Sequence, residues 1–314
     1  MRIVSLVPAG TEIAYALGAG DELVAVTHDC DYPPAARKLP RVTSSTIAPG
    51  SDSFAIDVQV RAAVERGEST FHLDAAALAA ARPDVLLGQT LCEVCAVTIV
   101  QLPAAMDPAP LVVPLDGHSL DGIFADVQRV GDALDRSDAA TALVAELRAR
   151  ISRVEAQVAG ERRPTVVCLE WLAPLFNAGH WVPEQVAIAG GLDLLGKPLV
   201  PSIDVPWEDL VAADPEYLFL LPCGFDAERA RAESAVLAVR PEWQQLRAVR
   251  EGNVVALDGN AYFSRPGPRV VDGIELLASL LHPDRVSAPD GADVLSVDPA
   301  RRDTSIPGHL TRMD

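Results

Sequence analysis

The segment Cys92-Glu-Val-Cys95 holds the residues of this chain whose types and spacing most directly suggest chemistry. Thiols so placed serve a thioredoxin-type redox exchange or supply half of a four-ligand zinc site. A structural zinc site would want a second local pair, whereas Cys30, Cys168 and Cys223 stand singly. A redox motif would want an early helix start inside a thioredoxin-sized domain. The pair therefore reads as small-residue packing before it reads as a dithiol or a metal site.

Other catalytic signatures are missing. Val7-Pro-Ala-Gly-Thr-Glu12 carries one glycine where a dinucleotide fingerprint needs three, and neither a GxSxG elbow nor an HExxH pair occurs. Of the histidines, His28 and His118 read as satisfied residues at strand ends, with Ser119 as the helix cap beside the latter. His180 differs by its company. In CLEWLAPLFNAGHWVPE, residues 168–184, it stands with Trp171, Phe176 and Trp181. Pro174, Gly179 and Pro183 predict a stiff loop after a strand, with the rings as a flat wall in preference to a cap over the core. Phe225 follows one further strand and Tyr262-Phe263-Ser-Arg265 another. Exposed rings on three strand-end loops would suit a large, planar, partly apolar ligand.

The elements that must position these residues alternate between short β-branched runs and Ala/Leu-rich helical segments, the pattern of an α/β fold with mainly parallel strands. Strands are predicted at 3–7, 23–27, 85–88, 111–115, 165–169, 217–221 and 254–257, and helices at 119–134 and 139–158. The second helix repeats apolar residues from Ala140 through Leu147 and Val154 to Val158 and would span roughly 30 Å as a stiff rod. An internal repeat supports two similar lobes: Leu78-Ala-Ala-Ala-Arg-Pro-Asp84 before one strand matches Leu210-Val-Ala-Ala-Asp-Pro-Glu216 before another. Polar groups and cysteines follow both strands, at the end where open α/β sheets bind ligands. The expected division is a lobe over 1–136, a connecting helix over 137–160, a second lobe over 161–283 and a loose tail over 284–314.

With 44 acidic against 26 basic residues, and a formal net charge of −18, the chain disfavours nucleic acid and anionic lipid as partners. No run approaches the roughly 20 apolar residues of a membrane helix, and the amino terminus lacks the zones of a signal peptide. The expectation is a soluble cytoplasmic monomer, with a periplasmic or cell-surface location only if the start was assigned too late. The odd, sparse set of 5 cysteines does not suggest a disulfide framework.

Taken together, Ser5-Leu-Val-Pro-Ala-Gly-Thr-Glu12, Ala16-Leu-Gly18, Cys30-Asp-Tyr-Pro33, the 80–88 corner, Phe176-Asn-Ala-Gly179, Ala189-Gly-Gly191 and Tyr262-Phe-Ser-Arg265 resemble the substrate-binding proteins of bacterial cobalamin and iron-chelate importers. The likeness covers most of 1–282. It is nearest to a cobalamin-binding branch with LCEVCAV, LEWL, GHWVPE and PCGFD segments. It implies two Rossmann-like lobes joined by a single long rigid helix, a class III periplasmic-binding-protein-like fold. It also implies cobalamin, or a related corrinoid, bound without chemistry in the cleft between lobes. Carried onto this sequence, Tyr32, Trp171, Phe176, Trp181, Tyr262 and Phe263, with Phe225, would face the corrin, and Gln89, Thr90, Asn177 and Arg265 its amide fringe. His180, Cys92 and Glu93 would face the same cleft, and His180 or Cys92 could reach the cobalt. The family's docking to an ABC permease points to Glu93 and Glu208. In a protein that stays inside the cell, Glu93 would serve the cleft and Glu208 the first turn of its helix. The alternatives are a haem or siderophore-type iron-chelate binder, and a thiol- or metal-dependent enzyme acting on a corrinoid through Cys92, Cys95 and His180.

Overall fold

The computed structural model describes residues 1–89, 106 and 108–297. It divides into two compact units, one of Met1–Ser51, Ala55–Leu147 and Pro266–Pro268, the other of Asp52–Phe54, Arg148–Arg265 and Arg269–Asp314.

The first unit contains β1 (Ile3–Ser5), α1 (Pro8–Ala16), β2 (Leu23–Ala25), β3 (Thr43–Ser45), most of α2 (Ser53–Glu65), β4 (Phe71–Leu73), α3 (Ala75–Ala81), β5 (Val85–Gln89), β6 (Leu111–Leu115) and α4 (Leu120–Ala133). Its main sheet runs β2-β1-β5-β6 with every pairing parallel; β3 and β4 form a separate antiparallel pair. Alternation along the strands sends Ile3, Val85 and Leu87 against Ile13 of α1 and Val127 and Val130 of α4. Val4 and Leu86 face the other side, against Leu78 of α3 and Val42. With both faces covered, β5 is buried throughout, which explains its unbroken apolar run, VLLG. Ser119 caps α4 as expected, its hydroxyl accepting Gly122 N–H at 3.0 Å.

The second unit repeats this plan. After α5 (Ser137–Val158) come β7 (Thr165–Leu172), β8 (Leu175–Asn177), α6 (Val182–Ile188), β9 (Leu192–Asp193), α7 (Trp207–Ala213), β10 (Tyr217–Leu220), α8 (Ala227–Glu233), α9 (Ala235–Ala238), α10 (Arg247–Glu251), β11 (Val254–Leu257), α11 (Gly259–Tyr262), α12 (Val270–Leu281) and β12 (Val294–Ser296). Parallel pairing gives β9-β7-β10-β11, the order of β2-β1-β5-β6 in the first unit. The repeated heptapeptide marks equivalent corners. Arg82 after α3 and Asp214 after α7 both take left-handed backbone, φ 42° and 37°, immediately before a proline that cannot continue the helix.

Helix α5 begins at Ser137, two residues before the predicted start, and its 22 residues span about 33 Å. The boundary between units falls within it, after Leu147. Ala140, Leu147 and Val154 of the predicted stripe are buried. In the second unit Arg150 clamps the helix to α12, donating to Glu275 at 2.5 and 2.9 Å and to Asp272 at 2.5 Å. Two expectations are corrected here. Strands β1 and β2 end at Ser5 and Ala25, short of Val7 and Thr27, because α1 starts on Pro8 and the chain turns away after Val26. The segment after Asp284 is not uniformly loose: Val294–Ser296 pairs antiparallel with β11 and extends the sheet edge.

Candidate ligand-binding site

At the carboxyl end of the second sheet, β7 continues beyond its parallel partners and folds back through Ala173-Pro174 onto β8. Trp171 pairs with Phe176 and Leu172 with Leu175, so the two rings lie side by side on one face of a hairpin. This corrects the expectation of a loop. Pro174 occupies the turn, and Pro183 sits in the first turn of α6, where its missing N–H costs nothing. Trp181 is the residue that precedes that helix.

The rings divide into a floor and a surface. Trp181, Phe225 and Phe263 are 4%, 1% and 2% exposed, which corrects the expectation that their loops display them. Trp181 donates its indole N–H to Phe263 O at 2.9 Å, which satisfies that buried donor. Phe225 lies under the Arg229 guanidinium, 3.7 Å from its centroid, and meets Trp171 edge-on at 5.4 Å. Trp171, Phe176, His180 and Tyr262 keep partial exposure. The Trp171 indole N–H is held by Ser53 O at 3.1 Å, His180 stacks on Trp181 at 5.6 Å, and Tyr262 stands edge-on to Phe263. In the first unit Tyr32 is 44% exposed.

Of the polar residues predicted for the ligand's fringe, Asn177 takes another duty. Asn177 is buried, its Nδ2 donating to Leu195 O at 2.6 Å and its Oδ1 accepting Ile203 N–H at 2.8 Å; it clips the chain and is not offered to a ligand. Gln89, at the end of β5, and Arg265, whose charge acts on Asp258, are both buried. Thr90, Cys92, Glu93 and Cys95 lie outside the described residues. Glu208 is exposed in the first turn of α7, where its charge favours the helix amino terminus. Cys30 accepts from the Thr11 hydroxyl and meets that of Thr27, each at 3.0 Å, inside the first core. His28 shares a hydrogen bond of 2.7 Å with the Thr43 hydroxyl. Among the described residues no group of three His, Cys, Asp or Glu side chains is placed to hold a metal ion.

Sequence reasoning missed two carboxyl groups. Glu170 sits where the β7–β8 register shifts, between Leu169 and Trp171. Burial pushes it up to about 8, against the lowering effect of the Gly179 N–H it accepts at 2.9 Å. Asp193 of β9 is pushed up to about 6, again by burial, although Leu195 and Gly196 N–H bond to its Oδ1 at 3.1 and 2.8 Å. The available signal was a single acid inside the apolar strand TVVCLEWL.

Comparison with known proteins places the architecture. A sequence family described as periplasmic binding protein matches residues 3–261. A vitamin B12-binding protein of Vibrio cholerae is 25% identical over 292 residues, covering 89% of this chain and 88% of its own. The crystal structure of the periplasmic vitamin B12-binding protein of Vibrio cholerae superposes with a TM-score of 0.63 at 22% identity, covering 89% of this chain and 96% of that one. A periplasmic heme-binding protein from Pseudomonas aeruginosa superposes at 0.66 and 23%, covering 94% and 95%. A doubled parallel sheet of one strand order, a helix continuous through both units, and a family match across most of the chain agree: the protein belongs to the periplasmic binding protein family.

Proposed function

We propose that this protein binds cobalamin or a related corrinoid and does not transform it. The observation that carries this reading is the ring face of the second unit, where Trp171 and Phe176 are paired on one hairpin and, like Tyr262, remain partly exposed at the carboxyl ends of the strands. Aromatic faces of this kind suit the apolar disc of a macrocycle. The name of the Vibrio cholerae relative supports the corrinoid.

Haem is the competing ligand, supported by the Pseudomonas aeruginosa neighbour. Charge favours the corrinoid. A chain with a net charge of −18 repels a ligand bearing propionates more than one bearing neutral amides around a cationic metal. Importer function would add an ABC permease as partner, with Glu208 as one exposed contact. The test is to incubate the purified protein with hydroxocobalamin, haem and a ferric chelate in equal amounts and to desalt. Hydroxocobalamin is expected to remain bound with an unchanging spectrum. Retention of haem alone would overturn the corrinoid reading, and a thiol-dependent spectral change with time would favour an enzyme.

A further inference from the structure

The residues beside the ring face are tied together around Glu170. From Leu195 to Val205 the chain runs as a strap along β8 and the turn after it. Val205 N–H donates to Leu175 O at 2.8 Å, Asn177 N–H to Ile203 O at 3.2 Å, His180 N–H to Val200 O at 2.7 Å and Leu199 N–H to His180 O at 2.9 Å. His180 and Leu199 both hold left-handed backbone, φ 49° and 68°. Residues with side chains keep that conformation only where their surroundings impose it, and such strain gathers at functional sites. At Gly179 a Cβ would stand 2.4 Å from Ser202 N, so only glycine lets the turn approach the strap this closely. The Glu170 carboxylate accepts the Gly179 N–H at 2.9 Å and the Ser202 hydroxyl. One side chain of β7 therefore binds the turn and the strap at once.

We propose that Glu170 is the positioning residue of the ring face: its carboxyl group clasps the strap to the turn and so holds His180, stacked on the buried Trp181, where a ligand meets it. Only the last clause rests on the ligand-binding reading; the clasp is observable without ligand.

The clasp is pH-sensitive. Enclosed, the carboxyl is pushed up to about 8 by burial, whereas an opened strap would return it to the ordinary carboxylate range. Opening then releases a proton. The closed form is favoured at low pH, loses about tenfold in relative population per pH unit as pH rises toward 8, and loses nothing further above it. The titratable groups facing Glu170 are Cys223 after β10 and Asp193 of β9, both of which raise it, and Cys168 on β7 itself. Asp193, pushed up to about 6, ionises earlier in the same range.

Hydrogen exchange of residues 178–204 in the full chain tests this, comparing the parent with Glu170→Gln at each pH from 5 to 9 so that base catalysis of exchange cancels. Glutamine keeps an acceptor oxygen for Gly179 and cannot ionise. The parent should exchange as slowly as the variant at pH 5 and at least tenfold faster at pH 8, and Asp193→Asn should leave that rise in place. A ratio independent of pH would overturn the clasp, as would a rise abolished by Asp193→Asn. Hydroxocobalamin retention in the same samples should fall with opening in the parent and not in Glu170→Gln. Retention unchanged while the strap opens would refute the positioning role. A pH-dependent ratio in a protein that retains no hydroxocobalamin at any pH would reject the corrinoid reading and leave the clasp standing.

Discussion

Trp171 and Trp181 lie in the same short stretch and do different work. Trp181 is a core residue whose indole N–H is bonded to Phe263 O, and Trp181→Ala should cost about 3–5 kcal/mol in chemical denaturation by leaving a cavity and an unpaired carbonyl. Trp171→Ala should cost less stability, because the side chain keeps exposure, and should instead weaken hydroxocobalamin retention. The opposite ranking of the two variants in the two assays would remove Trp171 from the ring face. Asn177→Ala should cost about 1 kcal/mol by removing the hydrogen bonds that the buried side chain makes to Ile203 N–H and Leu195 O, both of which water can partly reach. Individual roles were the part of the site least legible in the sequence. Cys-Leu-Glu-Trp-Leu shows an acid between apolar residues, but only the fold shows that the Glu170 carboxyl is enclosed and bonded to Gly179 nine residues on. Residue types locate the cluster of rings; burial, which separates Phe225 and Phe263 from Tyr262, depends on distant partners.

Among the elements, legibility followed locality. Strands β6 and β11 match their predicted ends at 111–115 and 254–257, and the Ser119 cap is as expected, because turn and cap chemistry is carried by adjacent residues. The corner repeat was legible for the same reason: a proline after a helix dictates what the preceding residue can do. The hairpin β7–β8 was not, since Pro174 reads as a break whether it ends a strand or turns one back. Helix α5 carries the clearest energetic prediction at this scale. Arg150 joins it to Asp272 and Glu275 of α12 in a partly buried network. Arg150→Met should lower stability by about 1–2 kcal/mol, discounted for the partial exposure of all three groups, and the loss should shrink at high salt. A variant as stable as the parent at low salt would show that the network contributes nothing.

For the molecule as a whole, the two carboxyls raised furthest, Glu170 and Asp193, set the sign of the pH response. Glu170 and Asp193 hold protons in the folded state, at about 8 and about 6, that they release on unfolding. Their contribution is complete at low pH, falls as pH rises out of the ordinary carboxylate range, and is gone above the folded values. The midpoint of urea denaturation should therefore drop between pH 5 and pH 8, and Glu170→Gln should flatten the drop; a midpoint rising steadily to pH 8 would contradict the burial of both groups. The fold that carries them was legible from alternation and from the repeat, because sheet order β2-β1-β5-β6 recurs as β9-β7-β10-β11. The ligand was legible only through resemblance, since many macrocycles satisfy the same rings. The most direct measurement is therefore an equilibrium titration of the purified protein with hydroxocobalamin at pH 6, followed by quenching of tryptophan fluorescence. Saturation at one equivalent, weakened in Trp171→Ala, is the predicted result; no quenching with hydroxocobalamin where haem saturates the same protein would contradict the account.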